Sequence, residues 1–558
     1  MIHNLWCKNM KMKGKIISIV LILSLISVFT PLNNHQIAAT HPSRDFQVSL
    51  NSLTPSLPIV ITHDDNFTLY PSITGDGSSL TPYRIENLNI TSIVDETAIK
   101  IYHTTKYFII KNCYLRTLKY GIDLYNVSTG TAQIVDNEIE GIQIEYGVGI
   151  QIKSTNSSFV ANNTILNPAV LTGSVYAMYF WWAHHTTAFN NTAIDSEPPR
   201  LNYIGGFESD ALILINNTCN KISQGFNLYK CPKSVIANNS LDMMFGSLAV
   251  SLDNCTDSLI DNNYIVTDGG MAISIYLSPS NITNNILFEA GIQIWEFNHT
   301  KYREYNVENN KIDNLDFGFF VDTADLVFDQ STFAQIFLYN CTNAKIKNVE
   351  FNIPTQHIYA VSCNFLNITN NIFDCEIYWT YGIGAIYLSL CQNASVSYNY
   401  YYLSGDALYL DNSHNCSFYN NTVYDIGGQG VYLYGSNSTE IYYNLFQWAG
   451  SGVYIDKGSH HNVIHHNTFW ICQGRDDSSL NIWYDINTLE GNYWSEYDGI
   501  GPYEIPGDAG AEDPFPLSTP PVPQIVEYEQ NNFIYLITAL LSIIIIPYIF
   551  RKRKKIKL

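Results

Sequence analysis

Histidines and carboxylates are the residues in this chain whose types and spacing could do chemistry. Four histidines crowd into Ser459-His460-His461-Asn462-Val463-Ile464-His465-His466. With Ile464 facing inward on a strand, alternation sends His461 and His465 to the opposite face, where two imidazoles suit copper or zinc. No third ligand is evident, and a turn between the two pairs would separate them. A second set is acidic: Asp242, Asp268, Asp313, Asp374 and Asp425, with Asp406 nearby, recur shortly after Asn-rich turns. Two carboxyl groups facing one another across a groove are what glycoside hydrolysis requires. Their offsets from the turn vary between three and seven residues, so they form no single column. Turn Asp is also common for local hydrogen-bonding reasons alone.

The elements that must position these groups are set by a repeat. Asn residues closing an Asn-rich turn fall at Asn112, Asn137, Asn163, Asn191, Asn217, Asn239, Asn263, Asn285, Asn310, Asn348, Asn371, Asn399, Asn421, Asn444, Asn467 and Asn492. Their spacing is 22 to 28 residues except for 38 between Asn310 and Asn348, which predicts an inserted loop there. Each period also carries a Gly followed by alternating apolar residues, as in Gly225-Phe226-Asn227-Leu228 and Gly452-Val453-Tyr454-Ile455. Period-two alternation means half-buried strands, so each period holds two or three short strands between Gly and Asn turns. Mid-period Gly and Asn exclude a helical solenoid. The leucine-rich consensus is absent, and propeller blades are longer. The pattern therefore predicts an all-β fold, a parallel β-helix solenoid of about sixteen rungs. At a strand spacing of about 4.8 Å the rod would be on the order of 75 Å long. Asn suits the turn because it tolerates left-handed backbone and its amides can bond from rung to rung.

Cysteines and aromatics follow the same period. Cys231, Cys255, Cys363 and Cys391 each stand eight residues before their Asn, and Cys341 stands seven before Asn348. Thiols stacked as small core hydrophobes explain this; a disulfide between vertical neighbours is within range but geometrically awkward. The 40 Tyr and nine Trp, with local runs Tyr400-Tyr401-Tyr402 and Trp181-Trp182, are what strand propensity selects, and facing outward they could stack on sugar rings.

The two ends are different in kind. Residues 16–29 are apolar and preceded by Lys8, Lys11, Lys13 and Lys15, the pattern of a secretory signal or an N-terminal anchor over residues 1–40. Residues 533–550 are uncharged, just long enough to span a bilayer, and followed by six Lys and Arg within 551–558. Positive charge on that flank places the tail in the cytoplasm and the bulk outside, a cell-surface protein with one C-terminal transmembrane helix. Ten of the 29 Lys and Arg lie in these ends, leaving 19 against 50 Asp and Glu, a net charge of −31. That balance disfavours nucleic-acid binding. Seventeen Asn-x-Ser/Thr sequons would be glycan acceptors in an exported chain.

Two stretches resemble a known family. Gly75-Asp76-Gly77-Ser78-Ser79-Leu80-Thr81-Pro82-Tyr83-Arg84-Ile85 resembles the opening of NosD-like right-handed β-helix proteins, the periplasmic copper-binding family. Gly491-Asn492-Tyr493-Trp494-Ser495-Glu496-Tyr497 resembles their closing segment. Pro502-Tyr503-Glu504-Ile505 and Asp513-Pro514-Phe515-Pro516-Leu517 follow as in that family. The likeness implies a cap and first rung over 41–100, coils over 101–490, and a C-terminal cap and Pro-rich spacer over 491–532. It suggests copper, and calcium at an Asp-Gly-rich exit loop that is shortened here to Asp498-Gly499-Ile500-Gly501; the residues themselves identify no cofactor. Neither the paired-Asp-plus-Gly-His pattern of polygalacturonases nor the basic cluster of pectate lyases is present. The resulting expectation is a membrane-anchored surface module that binds glycans or neighbouring surface proteins, or serves structurally. The alternatives are a polysaccharide-active enzyme and a copper-handling accessory protein.

Overall fold

A computed structural model describes residues 52–523 apart from 93, 95, 141–145, 167–174, 196–200, 245–246, 268, 270 and 375–383. The N-terminal apolar segment, the segment 533–550 with its basic tail, Asp268 and Cys375 lie outside these residues. Among the described residues no helix is long and apolar enough to cross a membrane.

The chain winds as an all-β, right-handed parallel solenoid. A typical coil runs through Met271–Tyr276, Ser280–Thr283 and Ile286–Phe288, and each strand lies in parallel register over its counterpart one coil away. The first stretch of coils builds two ten-stranded sheets, starting at Ile59–Ile61 and Tyr83–Glu86, and contributes to a third. A later stretch repeats the arrangement around a seven-stranded sheet that runs from Val327–Asp329 to Val463–His465. Inward Ile, Leu, Val and Phe form two separate apolar cores, one for each stretch.

Asparagine holds the coils together. From Asn137 to Asn310, and again from Asn371 to Asn492, one buried Asn per coil stacks over the next. At Asn263, Nδ2 donates to Oδ1 of Asn285 (2.9 Å) and to the Ile236 carbonyl (2.9 Å), and its backbone N–H donates to the same Oδ1 (3.0 Å). Its own Oδ1 accepts the N–H and Nδ2 of Asn239 at 3.0 and 2.9 Å. Both donors and both lone pairs of each amide are thus used inside the protein. Asn112 and Asn348 do not belong to this ladder. They occupy the preceding position, half-buried at Asn112 and exposed at Asn348, with φ of 50° and 58°, and Cys113 and Val349 take the ladder places, their N–H groups donating to Oδ1 of Asn137 and Asn371. Asn is favoured at both sites, for left-handed backbone at one and for its amide at the other, which is why a single Asn is ambiguous and the Asn-Asn pairs are not.

A second ladder runs eight residues before the first. Here a hydroxyl or thiol accepts the N–H of the coil before: Ser209 from Ala183 (2.9 Å), Cys255 from Cys231 (3.2 Å), Cys363 from Cys341 (3.3 Å), Ser413 from Cys391 (2.9 Å) and Ser459 from Ser436 (2.9 Å). Counted from Val349, Cys341 is also eight residues away and in register with the others.

The 38-residue gap is not an inserted loop. After Lys311–Ile312 the chain folds back antiparallel into Leu315–Val321, then runs through Val327–Asp329 directly into Phe333–Tyr339. That coil lacks a third strand, and its equivalent positions are only 18 residues apart, as for Asp325 and Asn343. The edge left at Gly291–Trp295 is closed by Gln335, whose amide accepts from Ile292 N–H (3.0 Å) and donates to Ile292 C=O (2.9 Å), as a further strand would.

Both ends are capped by carboxylates. Asp64 accepts from the Thr104 hydroxyl (2.7 Å), Thr105 N–H (2.8 Å) and Thr105 hydroxyl (2.6 Å), while Phe67 stacks on Tyr83 at 4.3 Å. At the far end Asp513 is buried and accepts the last ladder N–H, from Asn492 (2.7 Å), and the Trp494 indole (3.0 Å). Gly491 is required there: a Cβ would lie 1.9 Å from the Asp513 carboxylate. The closing Gly-Asn-Tyr-Trp and Asp-Pro-Phe segments are therefore two halves of one cap. At the exit loop Asp498 accepts Ile500 N–H (2.9 Å) as a local turn.

Two measurements check this account. Asn263→Ala strands bonding groups of Asn239 and Asn285 in the interior and is expected to cost on the order of 3 kcal/mol in chemical denaturation. Asn262→Asp, on the exposed left-handed site, should change stability by less than about 0.5 kcal/mol. His357 is fully buried against Phe351 and Phe373, and burial pushes its imidazole down to about 4. The folded state then binds fewer protons than the unfolded chain between about pH 6.5 and 4. Its contribution to stability is intact above pH 6.5 and lost as pH falls, at about 1.4 kcal/mol per unit. A His357→Gln variant should show a shallower fall in denaturation midpoint between pH 7 and 5 than the parent.

Candidate functional site: an aromatic column where the two stretches of coils meet

On the outer face of the second stretch, one position per coil carries an aromatic ring. Phe319, Phe337, Tyr359, Tyr387, Tyr409, Tyr432 and Tyr454 stand over one another in strand register. Neighbouring centroids are 4.6 to 5.1 Å apart, nearly the strand spacing itself. Each ring follows the inward residue of a local pattern: Ala385-Ile386-Tyr387-Leu388, Ala407-Leu408-Tyr409-Leu410, Gly430-Val431-Tyr432-Leu433 and Gly452-Val453-Tyr454-Ile455.

The start of the column is covered. A short helix, His299–Glu304, follows the last long strand of the first stretch and lays Tyr302 against Phe337 (5.0 Å) and Tyr339 (5.1 Å). Trp295 packs edge-on against Tyr359 (5.5 Å) and Tyr387 (5.7 Å). Phe337 and Tyr359 are consequently buried, whereas Tyr387, Tyr409, Tyr432 and Tyr454 emerge half-exposed.

Polar groups gather at the point of emergence. Asp411 accepts from the Tyr387 hydroxyl (2.9 Å) and from Ser389 (3.0 Å). Burial, with Asp411 alongside, raises the Tyr387 phenol well above its ordinary range. His299 lies within electrostatic reach of Asp411; burial lowers its imidazole, and its Nδ1 is buried without a partner among the described residues. Glu296 is buried beneath, holds the Tyr305 hydroxyl on Oε1 (2.8 Å), and has Oε2 without a partner among the described residues. Burial raises its carboxyl. At the far end Asp477 accepts from Tyr454 (3.0 Å), with the Arg475 guanidinium over that ring.

Of the carboxylates singled out in the sequence that lie among the described residues, only Asp406 reaches this face, acting electrostatically on Tyr409 and Tyr432 and taking Gln429 N–H at 2.6 Å. Burial raises its carboxyl. Asp242 pairs with Asn220 and Val266, and Asp374 with Tyr402, so neither stands over another acid. Asp313 is on the hairpin turn beside Glu289, and Asp425 is a left-handed residue within the strand Thr422–Tyr434. Asp411, His299 and Glu296 escaped sequence reasoning. Asp411 could have been found as the acid two residues after a column Tyr, but the other two meet it only because the stretches join. Of the aromatic runs, Tyr401 is core, stacked on Phe373 at 4.8 Å, and Trp182 is exposed.

The histidine cluster is arranged differently from the expected pairing. His461 sits exposed in a turn with φ of 59°, so strand alternation does not extend from it to His465. His465 instead groups with His466 and Asp485: one ligand atom of each lies within 4.8 Å of the others. Among the described residues nine cysteines are free thiols, all but Cys472 buried. Burial raises Cys113 and Cys416 to about 11 and Cys472 to about 12. No redox pair is formed among them.

Set against known proteins, residues 334–493 match the family described as right handed beta helix region. No curated protein matches the chain. Among solved structures, the mannuronan C-5 epimerase A-module of Azotobacter vinelandii is similar at 11% identity over 72% of this chain and 88% of its own, with a TM-score of 0.21. A tailspike protein of an E. coli bacteriophage, solved in complex with a pentasaccharide, is similar at 11% identity over 73% and 71%, with a TM-score of 0.25. An alpha-1,3-glucanase catalytic unit from Streptomyces thermodiastaticus gives 11% identity, 74% and 64%, and 0.19.

The buried state of the eight thiols other than Cys472 predicts that they resist alkylation in the folded protein and react fully once it is unfolded. Site-resolved mass spectrometry checks this, and a native disulfide at any of them would show as a thiol unreactive in both states.

Proposed function

We propose that this protein is a surface-held glycan-binding module whose binding face is the exposed run Tyr387, Tyr409, Tyr432 and Tyr454. The observation that carries the reading is their rung spacing: four half-exposed rings 4.6 to 5.0 Å apart form a continuous strip. Because most of these rings stack on one another, the strip presents mainly ring edges, along which the C–H groups of successive sugars can lie, while Asp406, Asp411 and Asp477 at its margins accept sugar hydroxyls. With a net charge of −31 outside the two ends, neutral or amino-sugar polymers suit this surface and polyanionic ones do not. The apolar segment 533–550 with its basic flank is the reason for placing the module on the cell surface.

Catalysis on the same strip is the second reading, and a specific observation favours it. Asp411, the Tyr387 hydroxyl and His299, whose Nδ1 has no partner among the described residues, converge where the column emerges, and an acid, a phenol and an imidazole are general acid–base groups.

The test uses the purified full-length chain against a panel of neutral, amino-sugar and uronate polysaccharides. Tyr409→Ala combined with Tyr432→Ala should weaken binding at least tenfold, about 1.4 kcal/mol, while Tyr264→Ala on another face leaves it unchanged. Binding to no polymer, or binding indifferent to the double substitution, sinks the proposal. New reducing ends or unsaturated products that vanish in Asp411→Asn would replace it with the enzymatic reading.

A further inference from the structure

The histidine group near the C-terminal cap has a feature that its hydrogen bonds make explicit. His465 ends the strand Val463–His465, and its ring stacks on Tyr442 at 5.4 Å with the planes 6° apart. His466 follows in the left-handed position with φ of 53° and packs against Tyr443 at 4.9 Å. Both rings are largely buried. Nε2 of His465 faces Glu440 Oε1 at 3.2 Å, and Nε2 of His466 faces Glu490 Oε2 at 2.8 Å. A carboxylate only accepts, so each Nε2 must carry the proton. In two neutral rings that leaves both Nδ1 atoms as bare lone pairs, and these point at one another across 2.7 Å. Two lone pairs at that distance repel unless a positive charge lies between them.

Asp485 supplies a further oxygen. It belongs to a small antiparallel bridge with Glu490, and one of its oxygens accepts Asn487 N–H at 2.8 Å. The bridge brings both acids of the 485–490 loop to the same pair of rings. A carboxylate on the outer nitrogen of a ligating imidazole is the usual device for fixing its tautomer and aiming the other nitrogen at a metal. Here both rings have that device.

We propose that His465, His466 and Asp485 bind one divalent cation of the zinc class, ligated through the two imidazole Nδ1 atoms, with Glu440 and Glu490 as positioning residues. Nitrogen donors with one carboxylate select a borderline cation over calcium or magnesium. A tetrahedral zinc with Zn–N near 2.05 Å needs the two nitrogens about 3.3 Å apart, so the rings must part by about 0.6 Å. Three protein ligands leave one position for water. The site is independent of the aromatic column and of the glycan reading.

Substitutions that the repeat itself tolerates make the test clean. Tyr419 and Tyr442 occupy the His465 position in the two preceding coils, and Asn420 occupies the His466 position two coils before. His465→Tyr and His466→Asn should therefore fold. The full-length chain is stripped with chelator and dialysed against micromolar free Zn²⁺, and its zinc content is measured together with its thermal midpoint. The parent should take up one equivalent and melt higher with zinc. Both variants should lose that equivalent and its thermal shift, with the metal-free midpoint little changed. Glu490→Gln should bind at least tenfold more weakly, and Ca²⁺ in place of zinc should give no shift. No uptake by the parent would mean that a shared proton bridges the rings, and the proposal fails. Uptake that is the same in parent and His465→Tyr/His466→Asn places the metal elsewhere and overturns it equally.

Discussion

Everything in this molecule rests on one hydrogen-bonded device, the buried asparagine that spans two coils. An amide has two donors and two acceptor lone pairs, and a turn between two parallel strands leaves backbone groups unpaired at the same spacing. Stacking one Asn per coil satisfies both sets. It also fixes register, because an interior amide displaced by one residue would leave several buried polar groups without partners. The hydrophobic alternation says which side of each strand faces in; the ladder says which coil lies over which. Ser and Cys do the same work more weakly in the second ladder, which explains why thiols sit in a column without forming disulfides.

Once register is fixed, chemistry on the outer face inherits the same spacing. A Tyr placed one residue after an inward Ile, Leu or Val in successive coils becomes a stack with no further design. Five tyrosines line up in this way from Tyr359 to Tyr454, continuing a stack that Phe319 and Phe337 begin. What makes part of the column accessible is the break between the two stretches of coils. The short coil without a third strand offsets the second stretch, and the first stretch then covers only the beginning of the column. Trp295 and Tyr302 bury Phe337 and Tyr359, and the following tyrosines are left open.

The sequence made the repeating parts legible and left the non-repeating parts obscure, for a physical reason. Asn263 and its equivalents recur under one constraint, so their spacing reveals a parallel solenoid. Asn112 and Asn348 were ambiguous because two adjacent positions both favour Asn, and this one-residue error also made Cys341 look out of register. His461 and His465 were paired by an alternation that a left-handed residue interrupts. Asp411 and His299 are 112 residues apart in the chain and meet only through the offset between stretches, which no local pattern encodes. A 38-residue spacing looked like extra chain inside one coil, when it was in fact an additional coil missing a strand.

A solenoid built on parallel pairing cannot close on itself, so wherever the repeat stops it exposes strand edges that need polar partners. Three such places exist among the described residues, and each has non-repeating polar groups: Asp64 at the beginning, Gln335 at the break, and Asp513 at the end. The groups with chemical potential lie beside the last two. Glu296, His299 and Asp411 gather next to the strand that Gln335 closes, and His465, His466 and Asp485 sit within the coil that Asp513 caps. In the interior of the repeat the ladder asparagines are already committed to their neighbours above and below. At a discontinuity it has a partner on one side only, and the unused bonding capacity is what a sugar or a cation can take up. Both of these side-chain clusters stand where the regularity of the fold fails.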